Sequence, residues 1–215
     1  MKYKVALFDL DDTLLRSYER KWTQHKHVAL DHFGIEITDE QLHEHWGKPF
    51  LEMIALLYGD VAEPIALAKV IHSYNHQFPK LVFDGSVAAV DRLLDAGVQV
   101  GIVTSSPTEL AFADLRRLGF NVDQLLCVLG NDIGAFHKPD SRVFEPALAR
   151  LPTSVSRSEI VYVGDLLVDL EAAIAASFDF IGVTTGVLSP DALLAAGASC
   201  VVGSAPDAVD LILAS

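Results

Sequence analysis

An α/β fold, built on a parallel sheet with helices on both faces, is predicted for this 215-residue chain by three observations. Six short runs rich in Val, Ile, Leu and Phe read as buried strands, and most of them are separated by helix-like stretches. Strands that are apolar throughout, rather than alternating, belong to sheets covered on both faces. Between about Leu15 and Val82 the strand pattern disappears, and helix-like sequence rich in His, Lys and Glu replaces it. The expected organisation is a Rossmann-like core, residues 1–14 and 83–215, with an inserted α-helical domain over residues 15–82, a division that this length accommodates.

The first strand, Val5-Ala6-Leu7-Phe8, delivers Asp9, Asp11 and Asp12 at its C-terminal end. Strand alternation would let Asp9 and Asp11 face one ion while Leu10 packs away. Two carboxylates ending an apolar strand repel each other without a cation, and open parallel sheets bind ligands at such ends. In the insert, Thr38-Asp39-Glu40-Gln41 fits a capping box, in which the Thr and Gln side chains satisfy free backbone amides at a helix start. Pro49 opens the next helix, Gly59 ends it, and Glu63 to Phe78 forms another. Phe83-Asp84-Gly85-Ser86 returns the chain to the core. There the remaining strands are expected at Val98 to Val103, Leu125 to Leu129, Ile160 to Val163, Phe180 to Val183 and Cys200 to Val202.

Composition narrows the function. With 29 acidic and 16 basic residues the formal charge is −13, which repels a phosphate backbone and argues against nucleic-acid binding. An anionic substrate therefore needs a local cation or metal. Cys127 and Cys200 lie far apart in apolar runs, as buried structural thiols of a reducing compartment rather than a disulfide framework. The N-terminal apolar stretch ends at Asp9, too short for a signal peptide or membrane span, and no later run is long enough. The expectation is a soluble, cytoplasmic protein with no membrane partner, either monomer or homodimer.

Four chemical signals fall where the fold places the C-terminal ends of strands. They are Asp9-Leu10-Asp11-Asp12-Thr13, then Thr104-Ser105-Ser106, then Lys138-Pro139, and last Gly164-Asp165-Leu166-Leu167-Val168-Asp169. Each alone is common, but their joint order and strand context are specific. In that order they resemble the four motifs of the haloacid dehalogenase-like hydrolase superfamily, over nearly the whole chain.

The resemblance implies phosphoryl transfer assisted by Mg2+, which suits carboxylate oxygens, water and a phosphate. It implies that Asp9 attacks phosphorus to form an aspartyl-phosphate, and that Asp11 protonates the leaving alcohol and then activates water. Thr104 would bind the transferring phosphoryl group, with Ser105 beside it, and Lys138 would counter its charge while orienting Asp9. The metal would be held by Asp9, by Asp11 through its backbone carbonyl, and by Asp165. Asp169 would be either a further ligand or a partner of Lys138 and of metal-bound water. Plainer alternatives stand beside these roles: Asp12 reads as a turn residue, Thr104 and Ser105 could close a strand or cap a helix, and Asp169 could lie on a solvated helix face. Leu166 departs from the family, where many members carry a small hydroxyl residue after the metal-binding Asp.

A helical insert between the first two motifs is similar to the type 1 cap of the phosphoglycolate phosphatase-like and β-phosphoglucomutase-like branch. Such caps close over the site and exclude water. Hinges are expected near Leu14 to Ser17 and Val82 to Gly85, and His45-Trp46-Gly47-Lys48-Pro49-Phe50 resembles the specificity loop. Lys48 and Arg16 are substrate-binding candidates on that basis; Arg20 and Lys21, near the first hinge, share the alternative of ordinary solvated cations. Of the eight His residues seven lie in the insert, but the pairs His25/His27 and His43/His45 are two apart, a poor helical ligand spacing. His137, beside Lys138, is a candidate lining residue of the site, but the reading as a neutral loop residue is the stronger one.

The expected activity is Mg2+-dependent hydrolysis of a small phosphorylated metabolite, a phosphoglycolate-like or sugar-phosphate-like monoester. A sugar phosphomutase is the nearest competitor, disfavoured because an ungapped match puts Lys21 where mutases carry a His. Asp11 disfavours dehalogenation, and a non-catalytic phospho-ligand-binding regulator remains the alternative of another class. The physiological substrate is not legible, since fold analogy does not supply it.

Overall fold

The computed structural model describes residues 2–46 and 48–215, so Gly47 of the expected specificity loop lies outside the described residues. The strands are β1 (Val5–Phe8), β2 (Leu15–Arg16), β3 (Leu81–Val82), β4 (Gln99–Val103), β5 (Cys127–Leu129), β6 (Ile160–Gly164), β7 (Asp179–Val183) and β8 (Val201–Val202). Six of them form one sheet in the order β5-β4-β1-β6-β7-β8, and every neighbouring pair is parallel. All six match the apolar runs, within two residues at their starts.

Alternation along β1 explains why both faces are covered. Ala6 and Phe8 point into a cluster with Val100, Ile102, Val161 and Val163, roofed by Leu93 of helix Ser86–Asp95 and Ile212 of helix Ala205–Ala214. Val5 and Leu7 point the other way, to Tyr162, Phe144 and Leu170 of helix Leu167–Ala176. Each β1 residue is fully buried, so the continuous apolar run is a direct record of two packed faces.

By contacts the chain divides into two compact units, Met1–Arg16 with Leu81–Ser215, and Ser17–Lys80. The second unit has its own core, in which Val28, Leu42, Ile54, Leu57, Leu67 and Ile71 are buried. Its helices include Tyr18–Val28, Asp39–His45, Phe50–Tyr58 and Pro64–Ser73. The Thr38 hydroxyl accepts from the Gln41 N–H at 3.3 Å while Gln41 Oε1 accepts from the Thr38 N–H at 2.9 Å, the reciprocal box read from the sequence. Pro49 and Gly59 flank the third helix.

Two expectations are corrected here. The stretch from Leu15 to Val82 is not free of strands: β2 and β3 pair antiparallel, Leu15 with Val82 and Arg16 with Leu81, where the chain leaves and re-enters the core. A two-residue strand carries too little pattern to be read. The helix expected from Glu63 to Phe78 stops at Ser73, followed by a single tighter turn, Asn75–Gln77. Asn75 spends its side-chain carbonyl on Lys21 Nζ at 2.9 Å and Gln24 Nε2 at 3.0 Å, tertiary bonds that fix the chain in the turn. Cys127 is buried in β5, whereas Cys200 is only half-buried, because it precedes the short edge strand β8. Among the described residues no helix is long and apolar enough to cross a membrane.

Candidate active site

Parallel register brings the motifs to one sheet edge. Phe8 lies beside Ile102 on one side and Val163 on the other, so Asp9, Thr104 and Asp165 all follow the ends of adjacent strands. The Asp9 N–H bonds to the Val163 carbonyl at 2.8 Å and the Thr104 N–H to that of Leu129 at 2.9 Å, which extends the ladder to the site residues.

Carboxylate oxygens of Asp9, Asp165 and Asp169 lie within 4.8 Å of one another, and all three residues are buried. Lys138 Nζ enters this group at 2.6 Å from Asp9 Oδ1 and 2.6 Å from Asp169 Oδ1, with its side chain 4% exposed. Its third neighbour is the Tyr162 hydroxyl at 3.1 Å, which itself donates to the Val103 carbonyl at 2.9 Å. Burial pushes Asp9 up to about 7, against the pull of the Lys138 charge, and it drives Asp165 well above the carboxylate range with help from Asp169, Asp9 and Asp12. Burial alone would lower Lys138, but Asp169 and Asp9 outweigh it and hold the ammonium charged.

Asp169 is completely buried, which removes the solvated-face alternative. Its Oδ1 faces Lys138, while Oδ2 accepts the Leu166 N–H at 3.0 Å and satisfies a free amide at the helix start. Asp165 Oδ1 accepts from the Thr13 hydroxyl at 3.1 Å. Gly186 lies so close to Asp165 that a Cβ there would sit 2.0 Å from Oδ2. Asp12 fits the turn reading, with φ +59°, and is also buried, its carbonyl accepting from the Thr185 hydroxyl at 2.5 Å.

The Asp11 carboxylate does not join this cluster. The strand ends at Phe8, and the following residues close a turn in which Leu14 and Leu15 both donate to the Leu10 carbonyl, so strand alternation no longer governs where Asp11 points. Its Oδ2 accepts from the Ser106 hydroxyl at 2.6 Å. Thr104 is buried, and its Oγ1 accepts the Ser106 N–H at 3.1 Å; it does not cap the next helix, Thr108–Arg117, whose first N–H goes to Asp132. Ser105 is exposed, its carbonyl held by Asn131 Nδ2 at 2.7 Å. Arg16 is exposed over the Phe83 ring at 5.3 Å, and Lys48, in the other unit, is exposed with Nζ 3.2 Å from His45 Nδ1. His137 is exposed.

Sequence reasoning missed Tyr162 and Gly186, and it gave no role to Ser106 and Thr13, although both stand inside the motifs. Tyr162 is hidden inside an apolar strand, and the Asp165 contact of Gly186 has no local signature.

Residues 6–183 match the family profile described as haloacid dehalogenase-like hydrolase. The chain is 30% identical over 190 residues to the validoxylamine A 7'-phosphate phosphatase of Streptomyces hygroscopicus subsp. limoneus, covering 85% of this chain and 86% of that protein. It is 28% identical over 225 residues to the phosphoglycolate phosphatase of Yersinia pestis, covering 99% and 95%. Among solved structures, a haloacid dehalogenase-like family hydrolase from Streptococcus pneumoniae shares the fold, with a TM-score of 0.81 at 17% identity over 98% of both chains. The protein described here belongs to the haloacid dehalogenase-like hydrolase family.

Proposed function

We propose that the protein is a Mg2+-dependent phosphatase that hydrolyses a small phosphorylated metabolite, of the phosphoglycolate or sugar-phosphate kind, through an aspartyl-phosphate. The observation that carries this reading is the meeting of three buried carboxylates around one lysine at the sheet edge. The phosphatase names of the Streptomyces and Yersinia relatives support it.

Were all three carboxylates ionised, against one ammonium they would leave a net charge of −2 in a buried site, an oxygen donor set suited to a hard divalent cation. Asp9, Asp165 and the Asp11 carbonyl would hold Mg2+, with Asp169 a further ligand or the anchor of Lys138. Bound there, Mg2+ supplies positive charge against the phosphate dianion. Lys138 holds one oxygen of Asp9, and the other is the attacking atom. As its bond to phosphorus forms, the ester P–O bond breaks and the leaving alkoxide takes the proton of Asp11. Water then attacks phosphorus and passes a proton to Asp11, and the P–O bond to Asp9 breaks to release phosphate. The Thr104 oxygen accepts from Ser106, which leaves its own O–H to donate to the phosphoryl group. The helical unit, residues Ser17–Lys80, would act as the cap, with Lys48, and Arg16 at its hinge, reading the substrate's anionic tail and Ser105 beside the phosphoryl group.

Phosphate release from a panel of phosphomonoesters, with Mg2+ or with chelator, tests this. Turnover should require Mg2+ and be lost in Asp9→Asn. Metal-independent turnover that survives Asp9→Asn overturns the mechanism; isomerisation without release identifies a mutase, and binding without either a regulator.

A further inference from the structure

We infer that Ser106 is a positioning residue for the acid/base carboxylate of Asp11, an assignment that rests on the phosphatase reading above. Its hydroxyl donates to Asp11 Oδ2 at 2.6 Å, and its backbone N–H donates to Thr104 Oγ1 at 3.1 Å. One residue thus joins the group that protonates the leaving alcohol to the hydroxyl that binds the phosphoryl oxygens. A hydrogen bond to an ionised carboxylate is roughly twice as strong as a neutral one, and here it spans two strand ends. With Oδ2 committed to Ser106, the transferable proton of the acid form sits on the other oxygen, so the donor atom has one defined place.

The surrounding chain holds Ser106 there. Its carbonyl accepts the Asn131 N–H at 3.1 Å, and Asn131 Nδ2 reaches the neighbouring Ser105 carbonyl at 2.7 Å. Asp132 Oδ1 accepts both the N–H and the hydroxyl of Thr108, at 2.7 and 2.6 Å, and so pins the helix that follows Ser106. Gly130 permits this approach: a Cβ there would lie 2.2 Å from Thr108 N and 2.5 Å from the Ser106 carbonyl oxygen. The loop after β5 therefore clamps the loop after β4, and Ser106 is the clamp's contact with the acid/base.

Leaving-group dependence separates this role from a structural one. A nitrophenolate departs without protonation, whereas an alkoxide needs the acid, and kcat/KM reports the chemistry through P–O cleavage. With Mg2+ present, kcat/KM is measured for p-nitrophenyl phosphate and for the alkyl phosphomonoester that wild type cleaves fastest. Ser106→Ala should raise the aryl-to-alkyl ratio about tenfold or more, a fraction of the 10²–10⁴ that general acid catalysis contributes. Ser106→Thr, which keeps the hydroxyl, should restore it, and Asn131→Ala, outside the reacting groups, should shift the ratio in the same direction by less. Equal losses on both esters, or a shared rise in KM at constant ratio, would make Ser106 a structural or substrate contact and overturn the assignment. If wild type shows no Mg2+-dependent, Asp9-dependent turnover, the phosphatase reading itself fails and this inference falls with it.

Discussion

Asp9 makes the metal-free protein weaken as pH rises. Burial holds its carboxyl at about 7 in the fold, against 3.8 for the free group. Between those values the folded state binds more protons than the unfolded chain, so stability declines as pH rises through that window and stays low above it. A shift of about 3 units is about 4 kcal/mol once Asp9 is fully ionised. Between pH 5 and 8 the part that appears is about 3 kcal/mol. Chelator-treated protein, unfolded with urea across that range and followed by far-UV circular dichroism, should lose about that much more stability than Asp9→Asn, whose amide does not titrate. Saturating Mg2+ should shrink the loss, because ionised carboxylates are what it binds, and its Kd should tighten by up to tenfold per pH unit below 7. Parallel pH profiles for wild type and Asp9→Asn without metal would refute the reasoning.

His25 works in the opposite direction in the helical unit. Burial, with the Lys21 charge, lowers it to about 4, so the unfolded chain binds the extra proton and stability is lost as pH falls from 6.5 toward 4. By pH 5 the loss is about 2 kcal/mol; Trp22 and Trp46, both in that unit, report it by fluorescence, and an unchanged acid response in His25→Gln would count against it. Gly186→Ala pushes a methyl to 2.0 Å from Asp165 Oδ2, so it should destabilise by about 1–3 kcal/mol and weaken Mg2+ binding about 10–100-fold in a calorimetric titration. Wild-type Mg2+ affinity in that variant would contradict the packing argument.

The legible parts of this molecule are those where one local pattern answers one physical demand. The six core strands were readable because burial on both faces forces continuous apolar runs, as at Val5–Phe8. The boxes and breakers at Thr38, Pro49 and Gly59 were readable because helix ends leave backbone groups that only certain residues satisfy. Asp9 and Asp165 stood out as charges at the ends of apolar strands, whereas Lys138, nine residues beyond the end of β5, stood out only through the order of the motifs. The aim of Asp11 was not readable, because its direction depends on a turn closed through Leu10 and on Ser106, 95 positions away. Tyr162 gave no signal either: in a buried strand an aromatic residue looks like packing, and only the fold brings its hydroxyl to Lys138.

The Tyr162 hydroxyl also bears on how Lys138 acts. An ammonium has three protons, and three acceptors surround this one: Asp9 Oδ1 and Asp169 Oδ1, both at 2.6 Å, and the Tyr162 oxygen at 3.1 Å. The two carboxylate bonds are short and charge-assisted, and releasing either would leave a buried carboxylate unbalanced. The tyrosine bond is longer and its acceptor carries no charge, and Tyr162 keeps its own bond to the Val103 carbonyl whether or not Lys138 remains. A direct contact between Lys138 and a bound phosphoryl group would therefore come at the expense of the tyrosine arm, while Asp9 stays anchored. The same lysine can then counter phosphate charge and hold the nucleophile, because the bond it gives up is the weakest of its three.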